Sequence, residues 1–440
     1  MTQNRSKPRP IANSAPKGYK GMFRSLESRN FRLFVTGQSI SLIGTWIQRI
    51  AMPWLVYDLT HSVFLLGLIG FTGQIPVFLL GPFAGVITDR WNKRNLLLYT
   101  QALAMLQAFA IALLIVLGIV QIWMLIILSI ILGCITALDN PARQSFLIEM
   151  VGKKENLGNA IALNSTMVNV ARLIGPSIAG IILASTGESA CFAINGLSFL
   201  LVIISLLRMR IEQQTLKPKQ SQFLSSFKEG IKYTFGFAPI KAVILLLALM
   251  SLMGMPYAVL MPVFAKEILH GGSHTFGFLM GATGLGALMG AIYLASRKNV
   301  LGLEKLIPFA CVLFGAGLIA FSFSRYLPLS LFFLIFAGLG MMMQMASSNT
   351  IIQTIVDDDK RGRVMSFYSM ALMGTAPFGS LIFGSLAQWI GAPHTLVIGG
   401  ISCILGAIVF IKNLPNLKTQ IHPIYIQQGI MENPLDNLEE

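Results

Sequence analysis

From residue 32 to residue 412 the chain is a train of apolar stretches, each near the ~20 residues that carry a helix across the hydrocarbon layer of a bilayer. Short polar breaks separate them. Twelve can be marked, at 32–57, 63–88, 95–118, 122–142, 160–184 and 190–208, then at 240–265, 276–296, 304–323, 328–350, 364–389 and 395–412. In lipid every backbone N–H and C=O must be satisfied within its own segment, so these stretches are helices and the fold is an all-α membrane protein. Composition agrees: 54% hydrophobic and 12% charged residues over 440 positions leave too little charge to cover a soluble molecule of this size.

The formal net charge of +15 raises nucleic acid as a partner, and the placement of the cations rejects it. Eight Lys and Arg residues lie from Arg5 to Arg32, and others sit in the breaks at Arg90/Lys93/Arg94, Lys153/Lys154, Arg297/Lys298 and Lys360/Arg361/Arg363. The alternate breaks carry chiefly Lys266 and Arg325. Cations on every second loop are the positive-inside pattern, which fixes orientation in a lipid bilayer. An even number of spans puts both termini on one side, and the bias makes that side cytoplasmic. No apolar segment precedes Phe31, so no cleaved signal peptide is expected. Cys134, Cys191, Cys311 and Cys403 stand singly within apolar stretches and read as small buried hydrophobes. No metal-ligand spacing or nucleotide-binding loop is found, and neither metal nor cofactor is expected.

The spans divide into two groups of six. Residues 1–29 are a basic tail, disordered over 1–20, and GMFRSLESRNFR (21–32) reads as a short interfacial helix leading into the first span. A first six-helix bundle occupies 30–210, a polar cytoplasmic linker 211–239, a second six-helix bundle 240–412, and an unstructured, proline-containing cytoplasmic tail 413–440. Within the linker Phe223, Phe227, Ile231 and Phe235 recur at every fourth position, the spacing of an amphipathic helix lying on the membrane surface. A weak repeat supports two halves: KKENLGNAIALNS precedes a span with Gly175-Pro176, and DDKRGRVMSFYSM precedes one with Ala376-Pro377.

The break between the second and third stretches reads G-x-x-x-D-R-x-x-K-R, from Gly85 through Asp89, Arg90 and Lys93 to Arg94. With twelve spans in two halves behind it, this string resembles the first signature of the major facilitator superfamily, with Asn92 where glycine is usual. The resemblance implies a cytoplasmic gate in which Asp89 faces the N-terminus of the helix starting near Arg363, a charge–dipole contact of about 0.3–1 kcal/mol. Arg143 is assigned to the same gate. The string from Ala171 to Gly180 resembles the antiporter motif of exporters in this superfamily. It keeps Gly175, Pro176 and Gly180 and has Ala171 and Ala179 where glycines are usual. Small residues at this spacing let helices approach closely, and Pro176 lets the helix bend. RNFRLFVTGQSISLIGTWIQR, PWLVYDLTHS and DNPARQSFLIEMV together resemble the transmembrane secretion effector group, which holds siderophore exporters (the enterobactin exporter among them) and macrolide efflux proteins. The resemblance implies a monomer in a bacterial inner membrane, moving a small molecule at the expense of the proton gradient.

A charge in the hydrocarbon layer costs at least about 2.5 kcal/mol, so Arg49, Asp139 and Arg172 each need a reason. At about 1.5 Å per residue, Arg49 lies about 24 Å and Arg172 about 18 Å above the cytoplasmic ends of their helices, while Asp139 stays near that end. Gln38, Ser41, Thr45 and Arg49 follow one another at helical spacing, as do Ser165, Asn169, Arg172 and Pro176. A polar stripe on a membrane helix faces protein or a watery cavity rather than lipid. One reading places Gln38, Thr45, Arg49, Asn169 and Arg172 in a central cavity that attracts an anionic or oxygen-rich substrate. The other has the arginines donating to backbone carbonyls or neighbouring helices. Asp139 is the candidate for proton coupling, although Arg143 one turn away favours a local ion pair; Asp58 and Glu267 are alternatives nearer the outer ends. The second half supplies methionines, Met253 among them, with Gln344 as a polar point. Thioethers suit a pocket for irregular apolar surface and are also ordinary helix filler.

The function expected is a secondary exporter working by alternating access on an amphiphile with acidic groups, siderophore-like in chemistry. A multidrug or macrolide efflux pump on the same scaffold is the alternative, and import comes third. A membrane-embedded lipid-acting enzyme would need polar catalytic groups converging at one depth. His61, His270, His274, His394 and His422 lie instead in outer loops or the tail, so an enzyme is not expected.

Overall fold

The computed structural model describes residues 24–152, 154–210, 223–297, 299–357 and 360–431. Among them there is no strand. The first six long helices are α1 (Arg29–Thr60), α2 (Val63–Arg90), α3 (Lys93–Val116), α4 (Ile122–Val151), α5 (Leu157–Thr186) and α6 (Glu188–Arg208). Six more follow: α7 (Ala238–Ile268), α8 (Ser273–Ser296), α9 (Leu303–Phe323), α10 (Leu327–Ile355), α11 (Arg361–Ile390) and α12 (Ala392–Gln427). Eleven of these are long and apolar enough to cross a membrane. The twelfth, α1, has the length at 32 residues, and its apolarity is diluted by Gln38, Ser41, Thr45, Gln48 and Arg49.

Side-chain caps set the tight turns. Ser28, Ser62 and Asn92 accept from the backbone N–H three residues on, opening α1, α2 and α3. The G-x-x-x-D-R-x-x-K-R string is therefore mostly helix. Gly85, Asp89 and Arg90 end α2, Lys93 and Arg94 begin α3, and Trp91 and Asn92 alone form the turn.

The two halves are built alike. In the first, α1 packs on α5 and α6, α2 on α4, and α3 on α4 and α6. In the second, α7 packs on α11 and α12, α8 on α10, and α9 on α10 and α12, each pair displaced by six helices. The halves meet through α5 against α8 and α2 against α11, so each proline-bearing repeat helix crosses to the other side.

These crossings are tightest at the end of the molecule opposite the basic loops. A Cβ added to Gly277 would lie 2.7 Å from the Pro176 carbonyl, and one added to Gly67 would lie 2.8 Å from Gly384 Cα. Near the basic loops the same helices part: Gly81 and Gly85 on α2, Gly158 on α5 and Gly362 on α11 have no such neighbour. At these glycines the halves are in contact at one end and apart at the other.

Several boundaries differ from those read in the sequence. Helix α12 does not stop near 412; it runs through Pro415 and Pro423 to Gln427, because Leu417, Ile421 and Tyr425, four residues apart, join the core. Gln428 then donates to the Thr354 carbonyl at 2.8 Å. In place of an interfacial helix over 21–32, a short 3-10 turn (Arg24–Glu27) leads directly into α1. The linker helix spans Phe223–Gly236 and lies against the start of α11, with Phe235 edge-on to Phe367 and the Tyr233 hydroxyl 3.3 Å from Asp357. The expected disorder over 1–20 falls outside the described residues, as do 211–222 and 432–440.

Candidate substrate site

At mid-depth between the halves, two guanidinium groups share one indole. The Cζ of Arg49 lies 5.0 Å from the centre of the Trp46 ring, and that of Arg172, arriving from α5, lies 5.8 Å from it. Helical spacing puts Trp46 and Arg49 on one face of α1. Gly175 brings α5 against them, since a Cβ there would sit 2.5 Å from Trp46 Cβ. On the other side Gly284 of α8 closes on the Arg172 carbonyl, at 2.9 Å from an added Cβ, and Tyr257 of α7 is within electrostatic reach of Arg172. Helices from both halves thus converge on the pair.

Neither arginine has an ion-pair or hydrogen-bond partner among the described residues. Arg49 lies beside Arg172, is repelled by it, and keeps exposed surface, so its head group faces open space between the helices. Cation–π attraction to one indole, worth about 0.5–2 kcal/mol each, offsets only part of the cost of holding two like charges there. The arrangement presents uncompensated positive charge, the chemistry that would receive an anion.

The other expected site residues separate. Thr45 and Asn169 are partly buried beside the pair, the Asn169 amide donating to the Ser165 carbonyl of its own helix at 2.9 Å. Gln38 does not line the cavity: it is 2% exposed, on a helix that packs into α6 through Gly37 against Ser205 and Gly44 against Ser198. Gln344 is likewise fully buried in the second half, where it donates to Ser348 at 3.3 Å. Met253 packs on the core at the α7–α12 contact, where its carbonyl faces Gly399.

Asp139 is buried and saturated. Its Oδ1 accepts from Thr100 Oγ1 at 2.8 Å and Gln101 Nε2 at 2.7 Å, and its Oδ2 pairs with Arg143. Two gate cations are also held within the first half. Lys93 pairs with Glu149 of α4, and Arg94 donates to the Leu206 and Leu207 carbonyls at 2.8 and 2.9 Å, capping α6 where its carbonyls lack intrahelical partners. Arg90 is exposed, and the Asp89 side chain lies outside the described residues. In the antiporter motif, Gly175 seats Trp46 while Pro176 and Gly180 meet Gly277 across the halves.

Two features escaped the sequence. Trp46 was legible as an aromatic three residues from a membrane arginine. At the closed end, Tyr57 of α1 donates to Glu267 of α7, Lys266 pairs with Asp58 at 2.6 Å, and Trp54 stacks on Phe276 of α8 at 6.0 Å. A π-helical turn, Phe264–Ile268, carries Lys266 and Glu267 to this seam.

Comparison with known proteins agrees with this architecture. The chain is 26% identical to the staphyloferrin A transporter of Staphylococcus aureus over 88% of its own length and 98% of that protein. It is 22% identical to macrolide efflux protein A of Streptococcus pyogenes, over 85% and 93%. Among solved structures, a bacterial homologue of the iron transporter ferroportin in an inward-facing state superposes with a TM-score of 0.67 at 18% identity, covering 88% of this chain and 98% of that one. Residues 20–437 match the transmembrane secretion effector family, and this multi-pass membrane protein is a member of that family within the major facilitator transporters.

Proposed function

We propose that this protein exports a small amphiphile bearing acidic or oxygen-rich groups, siderophore-like in chemistry, from the cytoplasm of a bacterium by alternating access. The observation that carries the reading is the unpartnered Arg49–Arg172 pair, recessed between the halves and sharing Trp46. The positive-inside bias assigns the open end to the cytoplasm and both termini with it, so the cavity stands ready to load from inside. The halves then rock about the α2–α11 and α5–α8 crossings, opening the seam at Tyr57–Glu267 and closing the end that carries Asp89, Arg90, Lys93 and Arg94. Energy comes from the proton gradient. Asp139, paired with Arg143 toward the gate end, is the residue proposed to couple to that gradient.

A relative that carries macrolides keeps a broader efflux pump as the second reading. The aromatic contacts of Phe378 with Phe71 and Phe78 at the α2–α11 crossing would suit such apolar cargo.

The test is a comparison of small molecules inside and outside cells that lack the protein with those of the parent, under iron starvation. The account expects an acidic, oxygen-rich compound to be retained inside the deficient cells. Retention of cationic drugs alone, with acidic metabolites unchanged, would overturn it.

A further inference from the structure

We infer that the transported molecule carries at least two acidic groups, taken one by each guanidinium, and that Trp46 is the residue that sets their spacing. This rests on the anion-export reading above and narrows it. Both Cζ atoms are measured against the same ring, at 5.0 and 5.8 Å, so they lie no farther apart than those two distances together. That separation suits two carboxylates of one small molecule.

The charges demand the same count. Arg172 acts on Arg49 by direct repulsion, and no described carboxylate relieves either. The polar groups near the pair, Tyr257, Thr45 and Asn169, are neutral. A monoanion would compensate one guanidinium and leave the other uncompensated in the cavity. A molecule with two acidic groups compensates both, and each carboxylate can accept a two-pronged fork.

Trp46 makes the spacing fixed rather than adjustable. Its Cβ is packed against the Gly175 backbone, and its ring faces both arginines, so neither head group can drift without leaving the indole. Trp46 is thus a positioning residue, and its removal should harm discrimination between one and two charges more than binding of a single charge.

The experiment uses the purified full-length protein in lipid nanodiscs and two probes that share an aromatic body, phenylacetate with one carboxylate and phenylsuccinate with two. Binding is followed by calorimetry. The expected result is phenylsuccinate binding at least about tenfold more tightly than phenylacetate, the value of one further charged hydrogen-bonded contact. Arg49→Gln should reduce that ratio to near one, and Trp46→Leu should lower it, while Arg49→Lys should restore part of it. Unchanged melting temperatures in the variants confirm that the ratio reports the site. Equal affinity of wild type for the two acids overturns the two-anion inference and leaves anion export standing. Absence of any binding that depends on Arg49 or Arg172 overturns both.

Discussion

Two charged centres lie inside the membrane-spanning part of the first half, and they are finished differently. At Asp139 the carboxylate, 6% exposed, meets Thr100, Gln101 and Arg143, so its charge and both oxygens are answered by the protein itself. At Arg49 and Arg172 the described residues supply an indole and no ion-pair partner. A charge left without a protein partner at membrane depth is costly and is by default a candidate functional group. On the proposed reading, the contrast separates a centre answered within the protein from one that awaits cargo.

The largest effect should come from converting the open centre into a copy of the closed one. Arg172→Glu would pair with Arg49, and export should fall at least about 100-fold while the melting temperature rises, because a charged hydrogen-bonded pair replaces a repulsion. An export assay beside thermal unfolding in detergent reads both. The reverse operation, Asp139→Leu, leaves Arg143 alone and should destabilise by about 3 kcal/mol, the low end for a broken buried pair because Arg143 is 23% exposed. Adding Arg143→Leu should recover most of that loss in the same unfolding assay.

Smaller effects are expected where the halves touch. Gly277→Leu places a side chain where Pro176 and Gly180 now sit, and should favour the outward-open form by about 1–3 kcal/mol, seen as a longer distance between spin labels on the outer ends of α5 and α8. Lys266→Ala removes an ion pair whose side chains are 34% and 50% exposed, so it should shift the same distance distribution by less than about 1 kcal/mol.

How far each centre was legible in the sequence follows from the same physics. The i, i+4 relation of Asp139 and Arg143 is local, so their pairing could be read directly. Helix count and the two halves were equally plain, since lipid imposes length and apolarity on every span. The stripe Gln38–Ser41–Thr45–Arg49 was ambiguous because a polar face on a membrane helix serves a cavity or another polar helix equally well. In the fold it does both: Gln38 and Ser41 turn inward beside α6, where Gln48, Gln107 and Asn195 form an amide chain, while Thr45 and Arg49 keep accessible surface. Gln344 was ambiguous in the same way: it lies on the fully buried face of α10, while Met253 packs on the core of the second half. The seam from Tyr57 to Glu267 joins residues over 200 positions apart, which no local pattern encodes.

The most direct test of the central claim is export of the native substrate by Arg49→Gln/Arg172→Gln, measured together with the melting temperature of the purified protein. The account predicts export at background with a melting temperature equal to or above wild type, because no protein partner is lost. Wild-type export by that double variant, or a large drop in its stability, would contradict it.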